Sequence, residues 1–335
     1  MVEKTCDNPV FVVGMNGSGT SMLTECLGRH PDLYAFPGET RMIPHFIKEQ
    51  ERFGDLDDDE NFRAFWDYIN RSVPDFRVFN NQRPPAMPDD WRTHPRTLAG
   101  IIDAVFRGFA ATYGKSRWCE KSPNHSEHIL NLGSLFPSSK FVHIVRDGRD
   151  CAASTNRRQF RNPNLAIYRW RRIVAEAKRQ GTSLGNRYFE LRYEDLTSDP
   201  ERWMRQICDF LDLSFDPRVL ESTMPQSAKS ASLESGQVGS IEPNSRKYRR
   251  HFTPKQVASL ERISGAFLRE LGYETEYAAG NKDIGRVRAT VTRLVDFVRG
   301  NRSLRRKLQG DSSMTWGRVY RRTLASIREY ATKRN

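Results

Sequence analysis

The sequence predicts an α/β protein in three layers: a central, mostly parallel sheet flanked by helices, followed by a basic helical C-terminal extension. Three observations carry that reading. Short apolar runs recur at Val10–Gly14, Lys140–Val145 and Tyr188–Tyr193, as expected of strands buried on both faces. Segments of helical periodicity separate these runs, and strands alternating with helices favour a parallel sheet. A net +11 of the chain's formal +13 falls from Asn281 onward, where 15 Lys/Arg stand against four Asp/Glu. The basic character therefore belongs to an extension, and the chain reads as a domain over residues 8–275 and an amphipathic extension over 281–335.

In chain order, the strand at Val10–Gly14 enters a Gly/Ser-rich turn and then a helix from Thr20 to Arg29. The acidic run Asp55–Glu60 reads as a solvated loop, and Phe76–Arg96, rich in Pro, Asn and Arg, as a long loop over the site. Ile101–Tyr113 reads as a helix, Lys140–Val145 as a strand, and Asp150–Arg158 and Leu165–Gln180 as the helices after it. Tyr188–Tyr193 is a third strand, followed by a helix over Glu201–Leu211 entered through Pro200. Gln226–Lys247, Ser- and Gly-rich, reads as a mobile connection. The last domain helix, Thr253–Leu271, has Thr253 as N-cap, Pro254 in its first turn and Gly272 as its stop.

Composition narrows the class. The 335 residues are 37% hydrophobic and 28% charged, with no run of 18 apolar residues, which reads as a globular protein without a spanning helix. The apolar run near Val10 is too short for a signal-peptide core, so a cytoplasmic protein is the expectation. The five cysteines form no C-x-x-C pair, which favours structural thiols over disulfides or zinc, and no metal site is expected. Nucleic acid is not an expected partner, because the charge sits in a tail and not across a domain face with stacking aromatics.

Four motifs carry chemistry. Gly14-Met-Asn-Gly-Ser-Gly-Thr-Ser21 lies between strand and helix, where glycines admit an anion close to the backbone and the helix N-terminus offers free N–H groups. Its spacing is P-loop-like, but Thr20 stands where an NTPase carries lysine. Gly38-Glu-Thr-Arg41 offers Glu39 as a general base and Arg41 as a charge-stabilising cation. Cys119-Glu-Lys-Ser-Pro123 offers Lys121. In Val145-Arg-Asp-Gly-Arg-Asp-Cys-Ala-Ala-Ser154, Arg146 at a strand end and Ser154 on the next helix can grip a phosphate together, with Arg158 one turn farther on. Ligands of parallel sheets bind at the carboxyl ends of strands, so the first and fourth motifs are expected to converge.

Together these residues resemble the sulfotransferases that use 3′-phosphoadenosine 5′-phosphosulfate (PAPS), within which the likeness is to tyrosylprotein sulfotransferases and related bacterial enzymes. The resemblance covers about residues 8–275. It implies a P-loop-like three-layer fold, PAPS as co-substrate with 3′-phosphoadenosine 5′-phosphate as product, and a hydroxyl-bearing acceptor. Gly17, Ser18, Gly19, Thr20 and Ser21 would hold the 5′-phosphosulfate. Arg146 and Ser154 match the family's 3′-phosphate contacts, and Tyr193 and Lys247 resemble nucleotide contacts. Glu39 matches the catalytic base and Lys121 a catalytic lysine. Two positions depart from the pattern: Gly17 replaces a loop arginine, and His45 stands where the tyrosylprotein enzymes carry arginine. The alternatives are a P-loop-type nucleotide kinase or NTPase, and a catalytically weak member that binds PAPS or a polyanion.

The extension carries apolar stripes at helical spacing, Ile284–Val298 and Trp316–Ala331, opposite arginine-rich faces. The expectation is two helices packing on the domain or on a second copy in a homodimer; peripheral membrane or acidic-polymer contact through 281–335 is the sharper alternative. If the helices pack, a chain truncated at Asn281 sediments with anionic vesicles no differently from the full chain. Salt-sensitive sedimentation of the full chain alone would establish the membrane reading.

Overall fold

The computed structural model describes residues 8–159, 161–222, 239–241, 245–277 and 279–285. The two helices expected in 281–335 lie almost wholly outside the described residues, as does most of the connection Gln226–Lys247. The described residues form two compact units. The first runs through Cys151 and resumes over Trp170–Lys247; the second takes Ala152–Arg169 and resumes at Tyr248.

The first unit is built on five strands: β1 (Val10–Val13), β2 (Leu33–Ala35), β3 (Arg117–Lys121), β4 (Lys140–Val145) and β5 (Tyr188–Arg192). Their order is β2-β3-β1-β4-β5 and every pairing is parallel. The helices between and after them are α1 (Thr20–Gly28), α2 (Ile43–Glu49), α3 (Asp59–Ser72), α4 (Pro74–Val78), α5 (Leu98–Ala111), α6 (Ile129–Leu135), α7 (Gly148–Gln159), α8 (Pro163–Thr182), α9 (Tyr193–Ser198) and α10 (Pro200–Phe210), of which α7 from Ala152 and α8 as far as Arg169 belong to the second unit. The α/β class with its parallel, doubly covered sheet is the one the sequence predicts.

Strand alternation sorts the core into two layers. Phe11, Trp118 and Phe141 face a cluster with Phe62 and Phe65 of α3 and Phe106 of α5. Val10, Val12, Cys119, Val142 and Ile144 face the other side, with Leu23 and Leu27 of α1 and Met204 and Ile207 of α10. Phe11 is the hub of the first layer, 5.7 Å from Trp118 in an edge contact and 5.3 Å from Phe141 in a stacked one. Trp118 satisfies its indole N–H on the buried Asp103, 2.8 Å away.

Three strands were expected; β2 and β3 are additional. Leu33–Ala35 is only three residues long, and Arg117–Lys121 carries charge at three of its five positions, so neither shows the apolar run that marks a buried strand. The acidic run is an exposed turn over residues 55–58, as expected, but its last two residues open α3. The Asp58 carboxylate accepts from the Glu60 and Asn61 N–H groups, both at 2.9 Å, and so caps α3. Asp59 in turn receives Arg92 at 2.9 Å and Arg96 at 2.7 Å. The expected loop Phe76–Arg96 begins inside α4 and includes a short 3-10 turn at Trp91–Thr93, with Trp91 stacked on Phe62 at 5.3 Å.

In the second unit, α11 (Tyr248–His251) precedes α12 (Pro254–Glu270). Thr253 caps α12 in a reciprocal box with Gln256, Pro254 lies in its first turn, and Gly272 takes φ 79° just beyond its end. Among the described residues no helix is long and apolar enough to cross a membrane.

A polar network ties β4 to β5. His143 Nδ1 lies 2.6 Å from the Tyr188 hydroxyl, which donates to Glu190 at 2.8 Å, and Lys178 reaches Glu190 at 2.6 Å. Burial pushes the Glu190 carboxyl up, but hydrogen bonds and charge from His143 and Lys178 outweigh it and bring the pKa down to about 2. A depressed carboxyl contributes stability above its unfolded pKa that is lost as pH falls through the folded one. Glu190→Gln should therefore flatten the acid limb of the stability curve between about pH 4.5 and 2; equilibrium unfolding across that window measures it.

Candidate active site

The sheet order places every candidate segment of the first unit at the carboxyl edge. From one side to the other, β2 leads to Glu39, β3 ends on Lys121, β1 leads to the Gly14–Thr20 turn, β4 leads to Arg146, and β5 leads to Tyr193. Such an edge is where parallel α/β sheets bind ligands.

The glycine-rich turn is shaped by its neighbours. Gly17 and Gly19 take φ 92° and 103°, in the left-handed region that favours glycine. A Cβ on Gly19 would lie 2.4 Å from the Tyr193 ring, so both backbone angle and contact exclude a side chain there. Gly14 N–H donates to Ser126 Oγ at 2.8 Å, and Ser18 N–H to the Met15 carbonyl at 2.9 Å. Ser18 Oγ is buried and has no hydrogen-bond partner among the described residues. The turn thus presents open backbone at the start of α1 and a buried hydroxyl, a cradle of the kind an anionic oxygen fills.

Arg146 joins this turn from β4. Its Nη1 donates to the Gly17 carbonyl at 3.1 Å, its Nη2 lies 3.4 Å from Asp150, and its guanidinium sits 4.3 Å above the Tyr193 ring. Burial works against this charge, but Asp150 and the neighbouring Tyr193 and Glu194 more than offset it and raise the guanidinium pKa. Trp170 Nε1 holds the Arg146 carbonyl at 3.0 Å, and Glu194 accepts from the Asp147 N–H at 3.1 Å.

Glu39, Arg41 and Lys121 form a second group at the same edge. Lys121 Nζ donates to Glu39 Oε1 at 2.6 Å, and Arg41 Nε to Oε2 at 2.6 Å. The Lys121 side chain is only 7% exposed, so it is not a solvated lysine. Arg41 is 68% exposed, and its pairing adds little stability. Beside Lys121 a cavity of about 310 Å³ runs along α1, lined by Ser21, Thr24, Glu25 and Arg29 and by Phe36 and Pro37 after β2.

The two faces of β3 each hold one residue of the Glu39 segment. Lys121 takes Glu39, while Glu120, fully buried on the opposite face, takes Thr40. Glu120 Oε1 accepts from Thr40 N–H at 3.0 Å, Thr40 Oγ1 at 2.9 Å and Ser122 Oγ at 2.5 Å; His125 Nδ1 stands 2.9 Å from Oε2. Burial alone would raise the Glu120 carboxyl, but these partners, His125 foremost, hold it below its ordinary value. Arg41 takes φ 54°, a left-handed angle that costs a non-glycine residue about 1–3 kcal/mol. Ser122 Oγ accepts its N–H at 3.0 Å and Asn124 Nδ2 donates to its carbonyl at 2.7 Å, which fixes that angle from both sides.

The structure therefore brings together Gly17, Gly19, Arg146 and Tyr193, and separately Glu39, Arg41 and Lys121, with Ser21 lining the cavity shared with Lys121. Thr20 is buried at the start of α1. Lys247 is half-buried in the first unit. Ser154, buried, and Arg158, exposed, lie farther along α7 within the second unit. Sequence reasoning missed Glu120, Ser122, His125 and Ser126. Their signal was a glutamate at a core position of a strand whose apolar pattern is too weak to reveal it.

The fold and this edge define a P-loop-like α/β protein with an anion cradle and an adjacent carboxylate–lysine pair. Residues 9–217 match the Sulfotransferase family, and the chain belongs to it. It is similar to protein-tyrosine sulfotransferase 1 of Danio rerio, 24% identical over 63% of this chain and 55% of that protein. It is also similar to protein-tyrosine sulfotransferase A of Caenorhabditis elegans, 24% identical over 63% of this chain and 51% of that one. The chain spans about half the length of these curated relatives. Among solved structures, the sulfotransferase domain of the Synechococcus PCC 7002 olefin synthase shares the fold, with a TM-score of 0.51 and 23% identity over 81% of this chain and 97% of that domain.

Two glycines test the packing around the turn. Gly19→Ala must relieve both the φ of 103° and the Tyr193 contact and should destabilise by about 1–3 kcal/mol. Gly108→Ala, exposed in α5 with open space around it, should stabilise by up to about 1 kcal/mol. Chemical denaturation of the two variants measures the contrast.

Proposed function

We propose that this protein is a sulfotransferase that transfers the sulfuryl group of PAPS to a hydroxyl acceptor. The observation that carries the reading is the contact of Arg146 with Gly17: it sets a fixed cation against a lysine-less glycine turn, the two ends needed to grip a nucleotide phosphorylated at both 3′ and 5′ positions. The buried Ser18 hydroxyl, without a hydrogen-bond partner among the described residues, fits an anionic group at the turn.

The backbone of Gly17, Ser18, Gly19 and Thr20, with the hydroxyls of Thr20 and Ser21, would hold the 5′-phosphosulfate. Arg146 would hold the 3′-phosphate, joined by Ser154 and Arg158; Tyr193 would contact the nucleotide and Lys247 would add a further cation. PAPS supplies a sulfuryl group on a phosphate leaving group, chemistry that needs positioning and electrostatics above all.

Glu39 acts as the general base. It takes the proton from the acceptor hydroxyl while that oxygen bonds to sulfur and the bond from sulfur to the phosphate oxygen breaks in line. Lys121 lies against Glu39 at 2.6 Å; it orients the carboxylate and places an ammonium where charge develops on the transferring and leaving oxygens. Arg41, on the other oxygen of Glu39, stabilises the same charge from the solvent side. No step calls for a metal. The acceptor is a hydroxyl of a carbohydrate, a small metabolite or a peptide tyrosine.

Two measurements test this. 3′-Phosphoadenosine 5′-phosphate should raise the melting temperature more than ATP at equal concentration; a preference for ATP would favour the kinase reading. With radiolabelled PAPS and an extract as acceptor source, Glu39→Gln should lower the transfer rate about 10²–10⁴-fold, and an unchanged rate would remove Glu39 from the role.

A further inference from the structure

The Glu39 carboxylate is held from one side by Lys121, but ion pairs do not set a backbone. What sets it is the opposite face of β3. Glu120 is 0% exposed, as is His125. A carboxylate in such a place is expensive unless its oxygens are satisfied, and two of the three hydrogen bonds that Glu120 accepts come from the segment next to Glu39. All three converge on Oε1, from the amide and hydroxyl of Thr40, the neighbour of Glu39, and from the hydroxyl of Ser122. Ser122 at the same time receives the Arg41 amide. The first hydrogen bond beyond this set, Glu39 N–H to Asp75 Oδ2 at 2.7 Å, locks the residue's own amide.

We propose that Glu120, oriented by His125 and extended by Ser122, is a positioning residue for sulfuryl transfer: it fixes Thr40 and Arg41 so that the Glu39 carboxylate meets Lys121 across the end of β3. The alternation of a strand makes this possible. Glu120 and Lys121 are consecutive and point to opposite faces, so two consecutive side chains of β3 clamp two consecutive residues of the loop. The same short turn carries Ser126, whose hydroxyl receives Gly14 N–H at 2.8 Å. The segment Glu120–Ser126 therefore registers the base loop and the phosphate turn against a single support. This role rests on the reading of Glu39 as the base, but its geometry can be tested without turnover.

Glu120→Ala would strand four buried polar groups and could unfold the chain, so the test keeps Glu120 and removes its donors. The Thr40→Val/Ser122→Ala double variant leaves the carboxylate, His125 and the Thr40 amide in place. The readout is the rate of Lys121 acetylation by limiting acetic anhydride, followed by peptide mass spectrometry well below the melting temperature. Lys121 paired with Glu39 reacts slowly. The double variant should label faster by about tenfold or more, since three hydrogen bonds are lost: Thr40 Oγ1 and Ser122 Oγ to Glu120, and the Arg41 amide to Ser122 Oγ. Glu39→Gln should label at least as fast, and the triple variant no faster than Glu39→Gln, because both changes remove the same pairing. A purely structural role for Glu120 would lower the melting temperature and leave labelling at the wild-type rate. Wild-type labelling in the double variant, or effects that multiply in the triple variant, would overturn the proposal. The transfer assay on Glu39→Gln is separate: full activity there sinks the general-base assignment without altering what the labelling says about position.

Discussion

A single buried cation organises the nucleotide side of the site. Arg146 leaves the end of β4, donates to the Gly17 carbonyl of the turn after β1, and lies on the Tyr193 ring at the end of β5. A charge this buried is tolerable only with partners on every side, and Asp150 and the ring supply them. The Tyr193 ring is in turn packed against Gly19. Three neighbouring strand ends are thereby locked to one guanidinium, which leaves the turn preorganised for an anion.

The catalytic side follows a different logic. There the parallel sheet works through alternation. Because β3 lies between β2 and β1, its last residues reach both the segment after β2 and the turn after β1. Lys121 faces the α1 side and the cavity; Glu120 faces the aromatic layer around Phe11 and Trp118. The carboxylate proposed as base and the buried one proposed to position it are thus separated by the thickness of one strand. Glu120 is fully buried, where electrostatic effects are largest, while Glu39 keeps a partly exposed carboxylate open to an acceptor.

The sequence makes the nucleotide side readable because glycine spacing and an Arg at a strand end are local signals. The turn at Gly14–Ser21, β1, β4, β5 and the cap at Thr253 are all carried by a few adjacent residues. Lys121 and Glu39 were found as motif residues, but their pairing was not, since it depends on β2 and β3, two strands too short or too charged to show. The capping role of Asp58 was hidden for a related reason: an exposed acidic run does not show which of its carboxylates caps the next helix. Glu120 is the clearest case. A glutamate flanked by a cysteine and a lysine gives no sign of burial, and only its donors, 80 and two residues away for Thr40 and Ser122, explain why it can be there.

The most direct test of the account is nucleotide selectivity at Arg146. The ratio of dissociation constants for adenosine 5′-phosphate and 3′-phosphoadenosine 5′-phosphate, measured calorimetrically in wild type and in Arg146→Lys, isolates the 3′-phosphate from the rest of the ligand. A guanidinium that grips this phosphate through its planar fork predicts a large ratio in wild type that falls at least about tenfold in the lysine variant. An equal ratio in the two proteins, with both folded, would mean that Arg146 serves the turn alone and that the site is not built for a doubly phosphorylated nucleotide.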